Sequence, residues 1–397
     1  MDILAQLTEK CSEPASRAAL VGPGGVGKSQ IAIEYTHRAR DPAYGNTKET
    51  WVFWVHAATK ERVQEGFKKI ADVVKLPDRH KPSTDIFSLV ENWLSNTSNG
   101  TWIMVLDSAD NADVFFDSNQ ETGQGGSPSN QQRPLHSYLP QSENGKILIT
   151  TRNQVLARHL TNRHSSVIEV GPMDSEDSQK LFETKGGGSD PDAVPALMEA
   201  LEFMPLAISQ AATYIWQATP LMTAKRYLDR FQGSEAYKTK LLSFETPDIR
   251  RDRDAAHSIL RTSQISINHI HSQRPSATRR LSIMSFFSYQ DIPDSVIRPI
   301  DPSQHDEFED DIIMLRNYCL VKVDDERSIE VHALIQLSVR AWLDARKETE
   351  FHKQLFTSQL VTFSNRSYFS NNSGIMLPEQ PQVTFSTRSI YLHVPLP

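Results

Sequence analysis

Residues Gly22 to Ser29 read Gly-Pro-Gly-Gly-Val-Gly-Lys-Ser. This is a complete phosphate-binding loop of the form G-x-x-x-x-G-K-[ST]. Its flanks have the right character. Ala18-Ala19-Leu20-Val21 is short, apolar and strand-like, and Gln30-Ile31-Ala32-Ile33-Glu34-Tyr35 reads as a helix start. Gly22, Gly24, Gly25 and Gly27 let the backbone curl, so that the N–H groups from Gly22 through Val26 to Gln30 can face phosphate oxygens. The following helix presents its positive end to the same anion. Lys28 would reach the β- and γ-phosphates, and the Ser29 hydroxyl would ligate Mg²⁺.

The first 170 or so residues alternate apolar runs with helical patterns. Strands are expected at Ala18–Val21, Trp51–Val55, Trp102–Leu106, Lys146–Thr150 and Val167–Val170. Helices are expected between them, at Lys60–Val74 and Asp85–Leu94 among others. Continuous apolar strands separated by helices predict an α/β fold with a parallel sheet covered on both faces. A ligand then belongs at the carboxyl ends of the strands, where the glycine-rich loop sits. Gln120 to Arg133 is rich in Gly, Ser, Gln and Asn and reads as a flexible insertion without a packing role, at about 118–134.

Beyond Met173 the strand signal stops. Helices are expected from Asp174 or Ser175 to about Glu183, then at Asp192–Met204, Pro205–Gln217 and Met222–Phe231, with Pro205 and Pro220 as boundaries. A third region carries expected helices at Ala256–His271, Ser276–Phe287 and Ala333–Leu343. Cys319–Val323 and Ser328–Val331 form an expected hairpin turning at Asp324–Arg327. Helices with a β wing predict a winged helix. The domains expected are a nucleotide-binding domain at 1–172, a small helical domain at 173–250, a winged helix at 251–347, and a terminal helix with an unstructured tail at 348–397.

Thr101 to Asp107, Thr-Trp-Ile-Met-Val-Leu-Asp, is an apolar strand ending in a carboxylate. Asp107 would hold Mg²⁺ opposite Ser29. The next residue is Ser108, which cannot polarise water as a carboxylate does; Asp110 lies close by in sequence. Gly145 to Asn153 is a further strand ending in Thr150-Thr151-Arg152. A guanidinium at Arg152 could sense the γ-phosphate through paired hydrogen bonds.

Gly22–Ser29, Leu106-Asp107, Thr150-Thr151-Arg152 and Met204-Pro205-Leu206-Ala207 follow one another in an order that resembles the NB-ARC domain of STAND-class P-loop NTPases. Val331-His332-Ala333-Leu334 resembles that family's Met-His-Asp motif, with Ala333 where the Asp would stand. The wording of Trp51–Ala57, Tyr138–Gln141, Met204–Ile215 and His332–Trp342 is most similar to NOD-like receptors of filamentous fungi. The resemblance implies an ADP-bound closed state that opens on exchange to ATP, with slow hydrolysis and with self-oligomerisation or protein partners on activation, in innate-immunity signalling. It implies that Pro205 contacts the adenine and sugar side and that His332 reaches the β-phosphate. The usual upstream Gly-Arg segment, an N-terminal effector domain and C-terminal repeats are missing from the sequence, so a bare switch core is expected.

Composition bounds the alternatives. The chain has 397 residues, 23% charged, and a net charge of −7. This argues against a winged-helix DNA-binding ATPase, because nonspecific DNA affinity needs several Lys/Arg–phosphate contacts. A continuously turning-over metabolic ATPase is disfavoured by Ser108. Two cysteines, Cys11 and Cys319, far apart and without metal-ligand spacing, fit a reducing compartment. The first residues lack a signal peptide's pattern and no run reaches the roughly 18 apolar residues of a membrane span. A cytoplasmic location without membrane contact is the expectation.

Overall fold

Arg17–Val21 (β1), Thr50–His56 (β2), Thr101–Asp107 (β3), Gly145–Thr151 (β4) and Val167–Glu169 (β5) form one sheet in the computed structural model. All its pairs are parallel and the order is β2-β3-β4-β1-β5. The structure describes residues 2–41, 49–116, 133–244, 258–287, 292–299, 301–324 and 327–359. The α/β expectation is met, with strand ends within a residue or two of those read from the apolar runs. The inner strands are largely apolar because both their faces are buried, as in β3, where only Thr101 is partly open. The edge strand β2 instead alternates over its second half, with Phe53 and Val55 buried and Val52, Trp54 and His56 half-buried around them.

The chain divides into two compact units, Met1–Gly171 and Pro172–Pro397. In the first, Ile3–Lys10 (α1), Lys28–Arg40 (α2), Lys60–Val73 (α3), Ile86–Ser95 (α4), Asp113–Phe116 (α5) and Gln154–Thr161 (α6) accompany the sheet. Side-chain caps set several starts: Thr59 accepts from Arg62 N, Asp85 from Phe87 N and Asn153 from Leu156 N. Most of the expected insertion lies outside the described residues. Its last residue, Arg133, does pack: it pairs with Glu91 at 2.7 Å and sits 4.3 Å over the Tyr138 ring.

The second unit begins with Ser175–Thr184 (α7), Ala193–Ala200 (α8), Pro205–Gln217 (α9), Ala224–Gly233 (α10) and Glu235–Leu242 (α11). The helix expected to run to Met204 stops at Ala200. Glu202 and Phe203 adopt left-handed φ of 51° and 55°, which ends helical propagation before Pro205 starts the next helix. Then come Ile259–Gln273 (α12), Pro275–Met284 (α13), Ile292–Pro293 (β6), Asp294–Ile297 (α14), His305–Asn317 (α15), Lys322–Val323 (β7), Ser328–Glu330 (β8) and Ala333–Arg346 (α16), with residues 349–359 helical. Cys319 does not begin a strand. Its φ of 54° closes the end of α15, with Leu320 N bonding back to Leu315 O. The wing is three-stranded and antiparallel, in the order β6-β8-β7. Ile267, Leu281, Phe308, Leu315, Val339 and Trp342 fill the core behind it. The buried Asp311 carboxylate holds α15 to α13, accepting from Arg280 at 2.6 Å and Ser276 at 2.7 Å.

Candidate nucleotide-binding site

The loop Gly22–Gly27 leaves the carboxyl end of β1, and α2 starts at Lys28 with Ser29 and Gln30 in its first turn. Gly27 is the helix N-cap with a φ of 93°, a conformation that only glycine adopts freely. A side chain at Gly22 would place its Cβ 2.2 Å from Val170 O, so backbone packing against the end of β5 demands glycine there. Val26 is buried and anchors the loop. Lys28 Nζ curls back over the loop and donates to Gly22 O and Pro23 O, 2.8 Å each. The ammonium thus stays at the loop's rim.

Asp107 ends β3 with little solvent exposure. Its Oδ1 accepts from Ser29 Oγ at 2.7 Å and from Thr150 Oγ1 at 2.6 Å. The loop hydroxyl and the strand-end carboxylate are therefore brought together. His56, opposite Asp107 in the β2–β3 register, places Nδ1 3.8 Å from Oδ2. Ser108 turns the chain with a φ of 60° and donates its N–H to Thr150 Oγ1 at 2.9 Å.

Arg152 follows β4, the strand beside β1. It is held by Asp110: its backbone N–H donates to Oδ1 at 2.7 Å and its Nε lies 3.1 Å from Oδ2. The other two assigned residues, Pro205 and His332, belong to the second unit. Pro205 is the first residue of α9 and His332 the N-cap of α16. The His332 ring lies against the Glu202 carboxylate.

Three residues of the site were given no role by the sequence reading. Thr150 was quoted in the motif Thr150-Thr151-Arg152 without a partner; a hydroxyl in an apolar run that ends beside a phosphate loop was the available signal. His56 was part of a quoted segment without a role. Asp110 was noted without a partner, and the ion pair to Arg152 supplies one.

A phosphate loop at the end of an inner strand of a parallel sheet, with its hydroxyl joined to a strand-end carboxylate two strands away, defines a P-loop NTPase. No protein-family model matches the chain. A nucleotide-binding leucine-rich repeat (NLR)-like protein of Hyaloscypha variabilis is 34% identical to it over 354 residues, 87% of the chain. The resemblance to NB-ARC-type NOD-like receptor proteins is borne out: over these residues the chain is a homologue of an NLR-like protein. It spans about a third of that relative's length, 34%. Remote structural likeness extends to a Walker-type ATPase of Pyrococcus abyssi, with a TM-score of 0.48 and 11% identity over 85% of this chain and 94% of that one. A STAND protein of Pyrococcus horikoshii with a tetratricopeptide repeat sensor has a TM-score of 0.32 and 14% identity, over 86% of this chain and 42% of its own. The Aeropyrum pernix ORC2 protein, in ADPNP–ADP complexes, has a TM-score of 0.46 and 12% identity, over 86% and 93%. At such TM-scores these likenesses carry no weight for function. Among the described residues no helix is long and apolar enough to cross a membrane.

Proposed function

We propose that the chain is a nucleotide-operated switch of the NB-ARC, STAND kind, closed with ADP and opened by exchange for ATP. The observation that supports it most strongly is the Ser29–Asp107 hydrogen bond at the mouth of a complete phosphate loop. Both are hard oxygen donors, which suits Mg²⁺, an ion that commonly takes one or two carboxylates plus phosphate oxygens. Bound there, Mg²⁺ would neutralise charge between the β- and γ-phosphates. Lys28 and the loop amides bind the phosphates, and Ser29 and Asp107 orient the ion.

Hydrolysis is slow on this reading. Ser108 cannot act as a base. Asp110, the next carboxylate along the chain, is engaged by Arg152 through both main chain and guanidinium. Water positioning and charge neutralisation supply most of the catalysis in phosphoryl transfer. Arg152, just past the end of the strand beside β1, would report the γ-phosphate by exchanging Asp110 for it. From the second unit, Pro205 would meet the adenine and sugar side and His332 the β-phosphate, so that the closed form requires ADP. Opening would expose surfaces for self-assembly or a protein partner in cytoplasmic, immunity-type signalling.

Native mass spectrometry of the purified chain, paired with a steady-state ATPase assay, tests this. The expected result is co-purified ADP and turnover well below the roughly 1–100 s⁻¹ of working kinases. Turnover within that range would favour a continuously working ATPase instead.

A further inference from the structure

His332 is the N-cap of α16, yet its side chain makes no capping hydrogen bond. The cap comes from far away in sequence. Glu202 Oε1 accepts from Ala333 N at 3.0 Å and Glu202 Oε2 from Leu334 N at 3.2 Å. The same Oε2 lies against His332 Nδ1, and both side chains are about four-fifths buried, 20% and 19% exposed. One carboxylate thus satisfies two orphan amides at the positive end of a helix and pairs with the ring beside them.

Glu202 is held where it can do this by its own backbone. Glu202 and Phe203 are consecutive non-glycine residues in the left-handed region, φ 51° and 55°. Phe203 N bonds to Met198 O and Phe203 O accepts from Met173 N, 3.0 Å each. Met204 follows as N-cap of α9, with Pro205 at the first helical position. A conformation that L-residues disfavour persists only where its surroundings over-determine it. Here the compensation includes the carboxylate's three contacts at the start of α16.

We propose that Glu202 is the positioning residue for His332, and that it fastens Pro205 and His332 into one body. This rests on the reading of His332 as a phosphate contact. With Nδ1 lying against the Glu202 carboxylate in an ion contact, without a hydrogen bond of its own among the described residues, a phosphate is met by Nε2. The Pro205 helix start and the His332 ring then move together, so loss of the Glu202 contact lowers ADP retention without touching the phosphate loop.

The test measures release of a fluorescent ADP by stopped flow from the full chain, with thermal melting alongside. Glu202→Gln keeps one acceptor oxygen for the α16 amides, sets an NH2 donor against the other amide and removes the charge facing His332. It should release ADP roughly tenfold faster, while melting between the parent and Glu202→Ala. Glu202→Ala should release at least as fast and melt lower. The double variant Glu202→Gln with His332→Ala should release no faster than His332→Ala alone, because the two residues act as a unit. Parental release from Glu202→Gln beside fast release from His332→Ala would overturn the proposal alone, as would independent, multiplying effects in the double variant. Parental release from His332→Ala would overturn the phosphate role of His332 on which it rests.

Discussion

Ser29 Oγ donates to Asp107 Oδ1 at 2.7 Å, and Thr150 Oγ1 donates to the same oxygen at 2.6 Å. A carboxylate at the end of β3 is thereby pinned by the phosphate loop and by β4, the strand between β3 and β1. Two hydroxyls on one oxygen fix its orientation before any ion arrives.

Asp107→Asn should therefore weaken Mg²⁺-dependent ATP binding by about tenfold or more, the scale of a lost charge-assisted contact, and ADP binding less. A metal that bridges β- and γ-oxygens matters most when the γ-phosphate is present. The asparagine oxygen still accepts from Ser29 and Thr150, so the fold is retained. Calorimetry with each nucleotide, with Mg²⁺ and with chelator, reads this. Equal losses for both nucleotides in both conditions would count against the metal role.

Gly22→Ala should destabilise the first unit. The added Cβ would meet Val170 O at 2.2 Å, against backbone that cannot swing aside as a side chain can. Overpacking of this kind costs about 1–3 kcal/mol. A urea midpoint equal to the parent's would show that β5 yields more easily than its pairing with β1 implies.

Arg152→Ala should lower ATP affinity more than ADP affinity, with little change in melting. The backbone N–H at position 152 keeps its bond to Asp110 Oδ1 in the variant, so the turn into α6 survives. The variant loses the side chain and its contact to Asp110 Oδ2, and the guanidinium is the part proposed to exchange Asp110 for the γ-phosphate. Identical losses for ATP and ADP would assign Arg152 to structure.

His332→Ala should release ADP about ten- to a hundredfold faster and enlarge the particle in small-angle scattering. A contact made in the closed state alone biases the population toward that state. A charge-assisted hydrogen bond contributes roughly 1.5–3 kcal/mol, and each 1.4 kcal/mol is about tenfold. Parental release and particle size with a lower melting temperature would make His332 a structural histidine, held by Glu202 for the sake of α16.

The candidate site was legible where local chemistry dictates structure. The glycines of residues 22–27, the continuous apolar strands and the carboxylate ending β3 each leave a mark in a short window of sequence. What tertiary contacts decide was hidden. Residues 201–204 read as helix because nothing local says that Glu202 will reach the start of α16. The strand Ile292–Pro293 is too short to show a period and exists through its pairing with Ile329 and Ser328. The helix His305–Asn317 did leave a signal that was missed: acidic residues in its first turn and buried Phe308, Ile312 and Leu315 at helical spacing. Thr150 was visible as part of the Thr150-Thr151-Arg152 motif, but its bond to Asp107 was not, since alternation is lost in a strand buried on both faces and no pattern tells where the hydroxyl points.

The most direct test is calorimetric titration of ADP into the parent chain and into Lys28→Ala, with circular dichroism on both. Lys28 Nζ donates to two carbonyls of its own loop, Gly22 O and Pro23 O. Its removal should leave the fold in place. The predicted result is ADP binding by the parent, its abolition in Lys28→Ala, and superimposable spectra. Unchanged ADP affinity in the folded variant would contradict the assignment of Gly22–Ser29 as the nucleotide site.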